Sequence, residues 1–178
     1  MKRAAFLDRD GVLNRSLVVD GKPKAPASLA EFELLPGVVD AVSRLKAAGL
    51  VVIVATNPPD VARGEHRRAD VEEIHKYLTK QAKIDDIYAC YCLEGPDCDC
   101  YKPKPGMLFE AARDFDIDLA RSFMVGDRWR DVGAGKAAGC RTLFIDYGYR
   151  EQRPDKPDHV VKDLAEAAGI ILDRIVRD

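Results

Sequence analysis

Apolar runs alternate with stretches of helical period along most of this chain. Residues 4–7 and 50–54 are short and wholly apolar, and the second (Leu50-Val51-Val52-Ile53-Val54) is rich in β-branched side chains. Such runs predict strands buried on both faces of a sheet. Residues 37–48 place Val38, Val39, Val42 and Leu45 on one helical face, with Gly49 as the stop. Residues 65–81 are charged but space Val71, Ile74 and Leu78 to face inward. Strand patterns return at 87–91, 122–125 and 142–145, and helical ones at 107–115, 132–138 and 163–176.

This rhythm predicts an α/β domain over residues 1–178, with an open, mostly parallel, Rossmann-like sheet and helices on both faces. Residues 14–35 break the rhythm. With Gly21, Pro23 and Pro26 they read as a loop excursion over the strand ends, too short for a large cap domain.

Composition narrows the function classes. The 178 residues carry 28 Lys and Arg against 30 Asp and Glu, a net charge of -2. That balance gives no general attraction to nucleic acid or to an acidic membrane, so any affinity for anions must be local. No apolar run approaches the roughly 18 residues of a membrane span. Asp8, Arg9 and Asp10 interrupt the N-terminal segment before a signal-peptide core could form. The expected location is the cytoplasm, and the expected state a monomer or weak homo-oligomer.

In open parallel sheets, ligands bind beyond the carboxyl ends of the strands. Asp8 and Asp10 follow the first predicted strand, and Thr56 and Asn57 the second. Lys102 lies beyond the third, and Asp127 with Asp131 follows the fourth. A group of carboxylates can hold Mg²⁺, a hard cation that prefers oxygen. A carboxylate at Asp8 can attack phosphorus in line, with Asp10 as acid and then base. Thr56 and Lys102 offer a hydroxyl and a positive charge to phosphoryl oxygens.

Four cysteines crowd into residues 90–100: Cys90-Tyr-Cys92, then Cys98-Asp-Cys100. Zn²⁺ takes four thiolates tetrahedrally in closed structural sites. Buried free thiols or two disulfides are the alternatives, although Asp97 and Asp99 argue against an apolar pocket. Cys140 reads as core. His66, His75 and His159 have no ligand-like spacing and read as surface residues.

Asp-x-Asp-Gly-Val after an apolar strand, Thr-Asn after a second, a later Lys-Pro and Gly-Asp-x-x-x-Asp together resemble the haloacid-dehalogenase superfamily of phosphatases. All four motifs stand in order across nearly the whole chain. The resemblance implies Asp8 as nucleophile, Asp10 as acid and base, and Thr56 and Lys102 as phosphate contacts. It also implies Mg²⁺ held by Asp8, Asp127 and the Asp10 carbonyl, with Asp131 in support. Arg9, Asn57, Tyr101 and Arg128 join Thr56 and Lys102 as candidate substrate contacts. The cysteine loop followed by Lys102-Pro103-Lys104-Pro105-Gly106-Met107 is similar to the heptose-bisphosphate and histidinol-phosphate phosphatase branch, which implies a small phosphorylated metabolite as partner. Three positions depart from that branch: Cys92 stands where histidine is usual, Tyr101 where arginine is, and Pro58 where glutamine is. The heptose bisphosphate is the leading substrate on this likeness, with histidinol phosphate or another sugar phosphate next. A phospho-accepting signalling domain, which also gathers Asp, Thr and Lys at strand ends, is the alternative of another class.

Overall fold

A computed structural model describes residues 1–177. The chain runs β1 (Ala4–Leu7), β2 (Leu17–Val19), β3 (Lys22–Lys24), α1 (Val38–Ala47), β4 (Val51–Thr56), α2 (Pro59–Ala62) and α3 (Arg68–Ala82). It continues through β5 (Asp86–Ala89), α4 (Gly106–Phe115), β6 (Phe123–Gly126), α5 (Trp129–Ala138), β7 (Arg141–Ile145), β8 (His159–Val161) and α6 (Leu164–Arg177).

Six strands form one parallel sheet in the order β5-β4-β1-β6-β7-β8. The expected α/β architecture is observed. After β1 the chain adds strands outward on one side, then returns to build the other, so the order reverses at β1. A crevice opens at such a reversal, beyond the carboxyl ends of the strands.

Because successive side chains in a strand point to opposite faces, the apolar runs of β1 and β4 feed two cores. Ala5, Leu7, Val52 and Val54 pack with Val42 and Leu45 of α1 and Ala168 and Ile171 of α6. Ala4, Phe6, Ile53 and Ala55 pack on the other face with Met107, Leu108 and Ala111 of α4. Cys140 is buried in this second core, as expected. Among the described residues no helix is long and apolar enough to cross a membrane.

Two expectations need correction. Residues 14–35 are not only loop, because β2 and β3 pair as an antiparallel hairpin with Val18 opposite Pro23. Three-residue strands with a half-buried proline leave no alternation to read, and proline is tolerated only where the ladder needs no donor. The helix expected over 65–81 begins at Arg68, and a separate turn, α2, precedes it with Pro59 at its start. The sixth strand, β8, was not anticipated either.

Ile53 is fully buried in the middle of β4. Ile53→Ala is expected to lower the unfolding free energy by about 3 kcal/mol. Urea denaturation checks this, with the midpoint falling and the slope unchanged.

Candidate active site

Lys102 organises the centre. Its ammonium is buried and donates to Asp8 Oδ1 at 2.7 Å, to the Ala55 carbonyl at 2.7 Å and to Asp131 Oδ1 at 2.5 Å. Asp8 leaves β1, Ala55 lies in β4 and Asp131 lies in the first turn of α5, so one cation ties three elements. Asn57 holds the Lys102 backbone from the end of β4, its Oδ1 accepting from the Lys102 N–H at 3.2 Å. Asp131 is engaged on both oxygens, since Oδ2 accepts from the Arg128 N–H at 3.0 Å and caps α5.

Asp127 is different. It is 1% exposed, and neither carboxylate oxygen accepts a well-formed hydrogen bond, the Tyr149 hydroxyl giving it only weak support. Oxygens of Asp8, Asp127 and Asp131 lie within 4.8 Å of one another. Buried carboxylates this close repel, and a free pair of oxygens among them is what a hard divalent cation takes. Gly11 makes room: at φ +83° it lies so close that a Cβ would sit 1.9 Å from Asp127 Oδ2. The residues therefore fit a Mg²⁺ ion, to which Asp8 and Asp127 could offer oxygen.

Burial pushes the Asp8 carboxyl up to about 6, the Asp131 charge adds to this, and Lys102 opposes it. Burial and the neighbouring charges of Asp8 and Asp131 hold Asp127 well above the ordinary carboxylate range. Burial works to lower the Lys102 pKa, but Asp131 and Asp8 outweigh it and the group stays protonated.

Asp10 stands outside this cluster. Its carboxylate accepts from Arg9 Nη2 at 2.9 Å and from Asn14 Nδ2 at 2.9 Å. Here the structure corrects two expectations. Arg9, expected against substrate, has a fully buried side chain and does not line the cleft. It is spent on Asp10 and on His75, whose Nε2 lies 3.1 Å from Arg9 Nη1. His75, expected at the surface, is buried. Burial, then the Arg9 charge, depress its pKa to about 4, so the neutral ring can accept from the guanidinium.

Asp8, Asp10, Thr56, Asn57, Tyr101, Lys102, Asp127, Arg128 and Asp131 all border one cleft of about 600 Å³. Arg128 is paired there with Glu151, with Nε 3.0 and 3.1 Å from the two carboxylate oxygens. Residues not anticipated also reach the cleft. Arg130 forks onto Glu94 at 2.8 and 2.9 Å and lies over the Tyr101 ring at 5.5 Å. A guanidinium thus stands beside Tyr101, delivered from α5 rather than by position 101 itself. Its one sequence signal is its place just after Asp127.

The four loop cysteines converge, with all sulfurs within 4.8 Å of one another. Cys90 and Cys100 form a disulfide, while Cys92 and Cys98 remain thiols. The contacts Cys90–Cys98 and Cys98–Cys100 are 3.5 Å and Cys92–Cys100 is 3.8 Å. Thiolates about 2.3 Å from a tetrahedral Zn²⁺ lie about 3.8 Å apart. Three contacts match that edge, so the four sulfurs could hold a metal in place of the disulfide. Lys104 closes the loop by donating to the carbonyls of Gly95, Pro96 and Cys98.

A parallel α/β sheet with carboxylates at its switch point can bring a divalent cation and a nucleophilic oxygen to one phosphate group. The HAD-hydrolase-like family matches residues 99–167. Over 188 residues the chain is 32% identical to the D-glycero-β-D-manno-heptose-1,7-bisphosphate 7-phosphatase of Pasteurella multocida, covering 96% of this chain and 97% of that protein. With the enzyme of the same name from Escherichia coli it shares 37% identity, covering 92% and 90% of the two chains. The crystal structure of a D,D-heptose 1,7-bisphosphate phosphatase from B. bronchiseptica, complexed with magnesium and phosphate, superposes with a TM-score of 0.81 at 34% identity. That match covers 98% of this chain and 99% of the other. The chain belongs to the haloacid-dehalogenase-like hydrolase superfamily, among relatives named as heptose-bisphosphate phosphatases.

The raised Asp8 carboxyl makes protons and a divalent cation competitors. With a folded-state value near 6 and an ordinary value of 3.8, protonation favours the metal-free fold. That contribution is complete below the ordinary value and is lost as pH rises through 6. Millimolar Mg²⁺ is therefore expected to raise Tm by about 3–6 °C at pH 7.5 and by little at pH 5. Asp127→Asn should lose the increment, as read by calorimetry at the two pH values.

Proposed function

We propose that this protein hydrolyses D-glycero-D-manno-heptose 1,7-bisphosphate at the 7-phosphate through an aspartyl-phosphate. The observation that carries the chemistry is the buried Lys102 ammonium shared by Asp8 and Asp131 beside the unpartnered Asp127. The heptose substrate is supported by relatives of that name matched along most of the chain.

Asp8 attacks phosphorus as the bond to the sugar oxygen breaks, and Asp10 supplies the proton that oxygen needs. Asp10 then takes a proton from water, which attacks the phosphorus and frees Asp8 and inorganic phosphate. Arg9 and Asn14 hold Asp10 to one side of the Asp8 cluster, where a leaving group can meet it. Lys102 keeps Asp8 charged and, with Thr56, faces the phosphoryl oxygens. Asp8, Asp127 and the Asp10 carbonyl would hold Mg²⁺, which would supply positive charge to offset the negative charge of phosphate against the carboxylates.

In the cysteine loop, Cys90, Cys92, Cys98 and Cys100 hold one structural Zn²⁺ under reducing conditions. Bound there, the metal would fix the segment from which Lys102 enters the site. Two unpaired thiols lying against the disulfide support this reading over a pair of disulfides.

Asp8→Asn is expected to lower kcat by on the order of a thousandfold or more, leaving the chain folded. A panel of phosphate monoesters compared by kcat/KM tests the substrate. Histidinol phosphate ahead of the heptose bisphosphate would overturn the heptose reading. A stable phosphoprotein without turnover would instead mark a signalling domain. Protein purified under reducing conditions should carry about one zinc per chain. Chelation should lower Tm more than it lowers initial kcat, whereas metal analysis finding none would sink the zinc assignment.

A further inference from the structure

We propose that Lys22 and Lys24, on the β2–β3 hairpin, form a second anion subsite that holds the non-reacting phosphate of a bisphosphorylated substrate. This rests on the phosphatase reading above and names the group that lets the site prefer a bisphosphate to a monophosphate.

Most cations around the cleft are already matched by carboxylates. Lys102 is committed to Asp8 and Asp131, Arg128 to Glu151 and Arg130 to Glu94. Arg63 lies 3.4 Å from Asp60. Lys22 and Lys24 border the same cleft, and among the described residues neither has a carboxylate partner. They are the cleft cations whose charge is still available to a ligand.

Their placement is not that of scattered surface lysines. Residues two apart in a strand project to the same side, so both lysine side chains leave β3 on one face, and both border the cleft. The hairpin that carries them is fixed to the rest of the site. The Arg150 N–H donates to the Gly21 carbonyl at 2.8 Å. Gly21, at φ +76°, lies so close to the Arg150 side chain that a Cβ would meet it at 2.7 Å. The same segment holds the centre at two further points, through Tyr147 on the Gly11 carbonyl at 3.0 Å and Glu151 on Arg128. The hairpin therefore keeps a set position relative to Asp8.

The charge also discriminates between candidate substrates. A sugar bisphosphate brings a second dianion away from the reacting phosphate, and two adjacent ammoniums attract it. Histidinol phosphate brings an ammonium instead, which they repel. Both lysines are exposed and hydrated, so each contributes modestly and the pair acts together on one dianion.

The test uses the Mg²⁺-loaded full chain and two matched pairs: heptose 1,7-bisphosphate with heptose 7-phosphate, and fructose 1,6-bisphosphate with fructose 6-phosphate. Lys22→Ala/Lys24→Ala should cut the bisphosphate-over-monophosphate ratio of kcat/KM at least about tenfold, mainly through KM. Lys22→Arg/Lys24→Arg should recover most of it, and added salt should shrink the ratio in the wild type more than in the alanine variant. Binding of the same sugars to Asp8→Asn protein gives the ratio without turnover. A wild type with no bisphosphate preference in either measurement, or a preference that survives the double alanine change, overturns the subsite. If the wild type ignores both heptose phosphates but the fructose ratio falls in the variant, the heptose reading fails and the subsite stands.

Discussion

The site depends on one buried cation set among carboxylates. Asp8, Asp127 and Asp131 are all nearly inaccessible, and like charges so close would not stay ionised together without compensation. The Lys102 ammonium supplies part of it, and its reach to Asp8, Asp131 and the Ala55 carbonyl fixes where β1, β4 and α5 end relative to one another. The rest falls on Asp127, whose two oxygens accept no well-formed hydrogen bond and have only the Tyr149 hydroxyl for weak support. A centre of this kind is stable enough to persist yet incomplete without a further positive charge, which suits it to a divalent ion and a phosphate arriving together.

Much of the surrounding structure serves to place that lysine and its partners. Asn57 grips the Lys102 backbone, and the Cys90–Cys100 disulfide and the Lys104 ammonium close the loop that leads into it. Gly126 lies so close to Asp131 that a Cβ would fall 2.0 Å from the Asp131 Cβ. The closeness lets α5 start directly above the end of β6. On the other side of Asp8, Arg9 is buried with His75 and Asn14 to hold Asp10 apart. Separation of the two aspartates gives them different neighbours, and hence different roles, despite their spacing in sequence.

The outer cleft follows another logic. There most charges are matched in pairs, Arg128 with Glu151 and Arg130 with Glu94, so the wall is ordered without being strongly charged. The segment after β7 ties this wall to the Gly11 turn and to the hairpin, joining the reacting centre to the surface that meets the rest of a ligand. Tyr101, which removes a cation by sequence, sits under a guanidinium brought from α5.

The sequence by itself determined the sheet, the helices that cover it, and the strand ends carrying Asp8, Thr56 and Asp127. Those follow from periodicity and from short apolar runs, which are local properties of the chain. The hairpin of residues 17–24, the short α2 and β8 were not legible, because brief exposed elements leave no period to read. Roles that depend on burial were decided only by the tertiary structure. Arg9 beside two aspartates looks like an arm toward substrate, but packing of α3 against the loop closes it away with His75. Likewise, nothing local marks Lys22 and Lys24 as free while Arg128 and Arg130 are paired, since the carboxylates that decide it come from residues 151 and 94. Charge in sequence is a count, whereas charge at a site is what remains after distant partners have been matched.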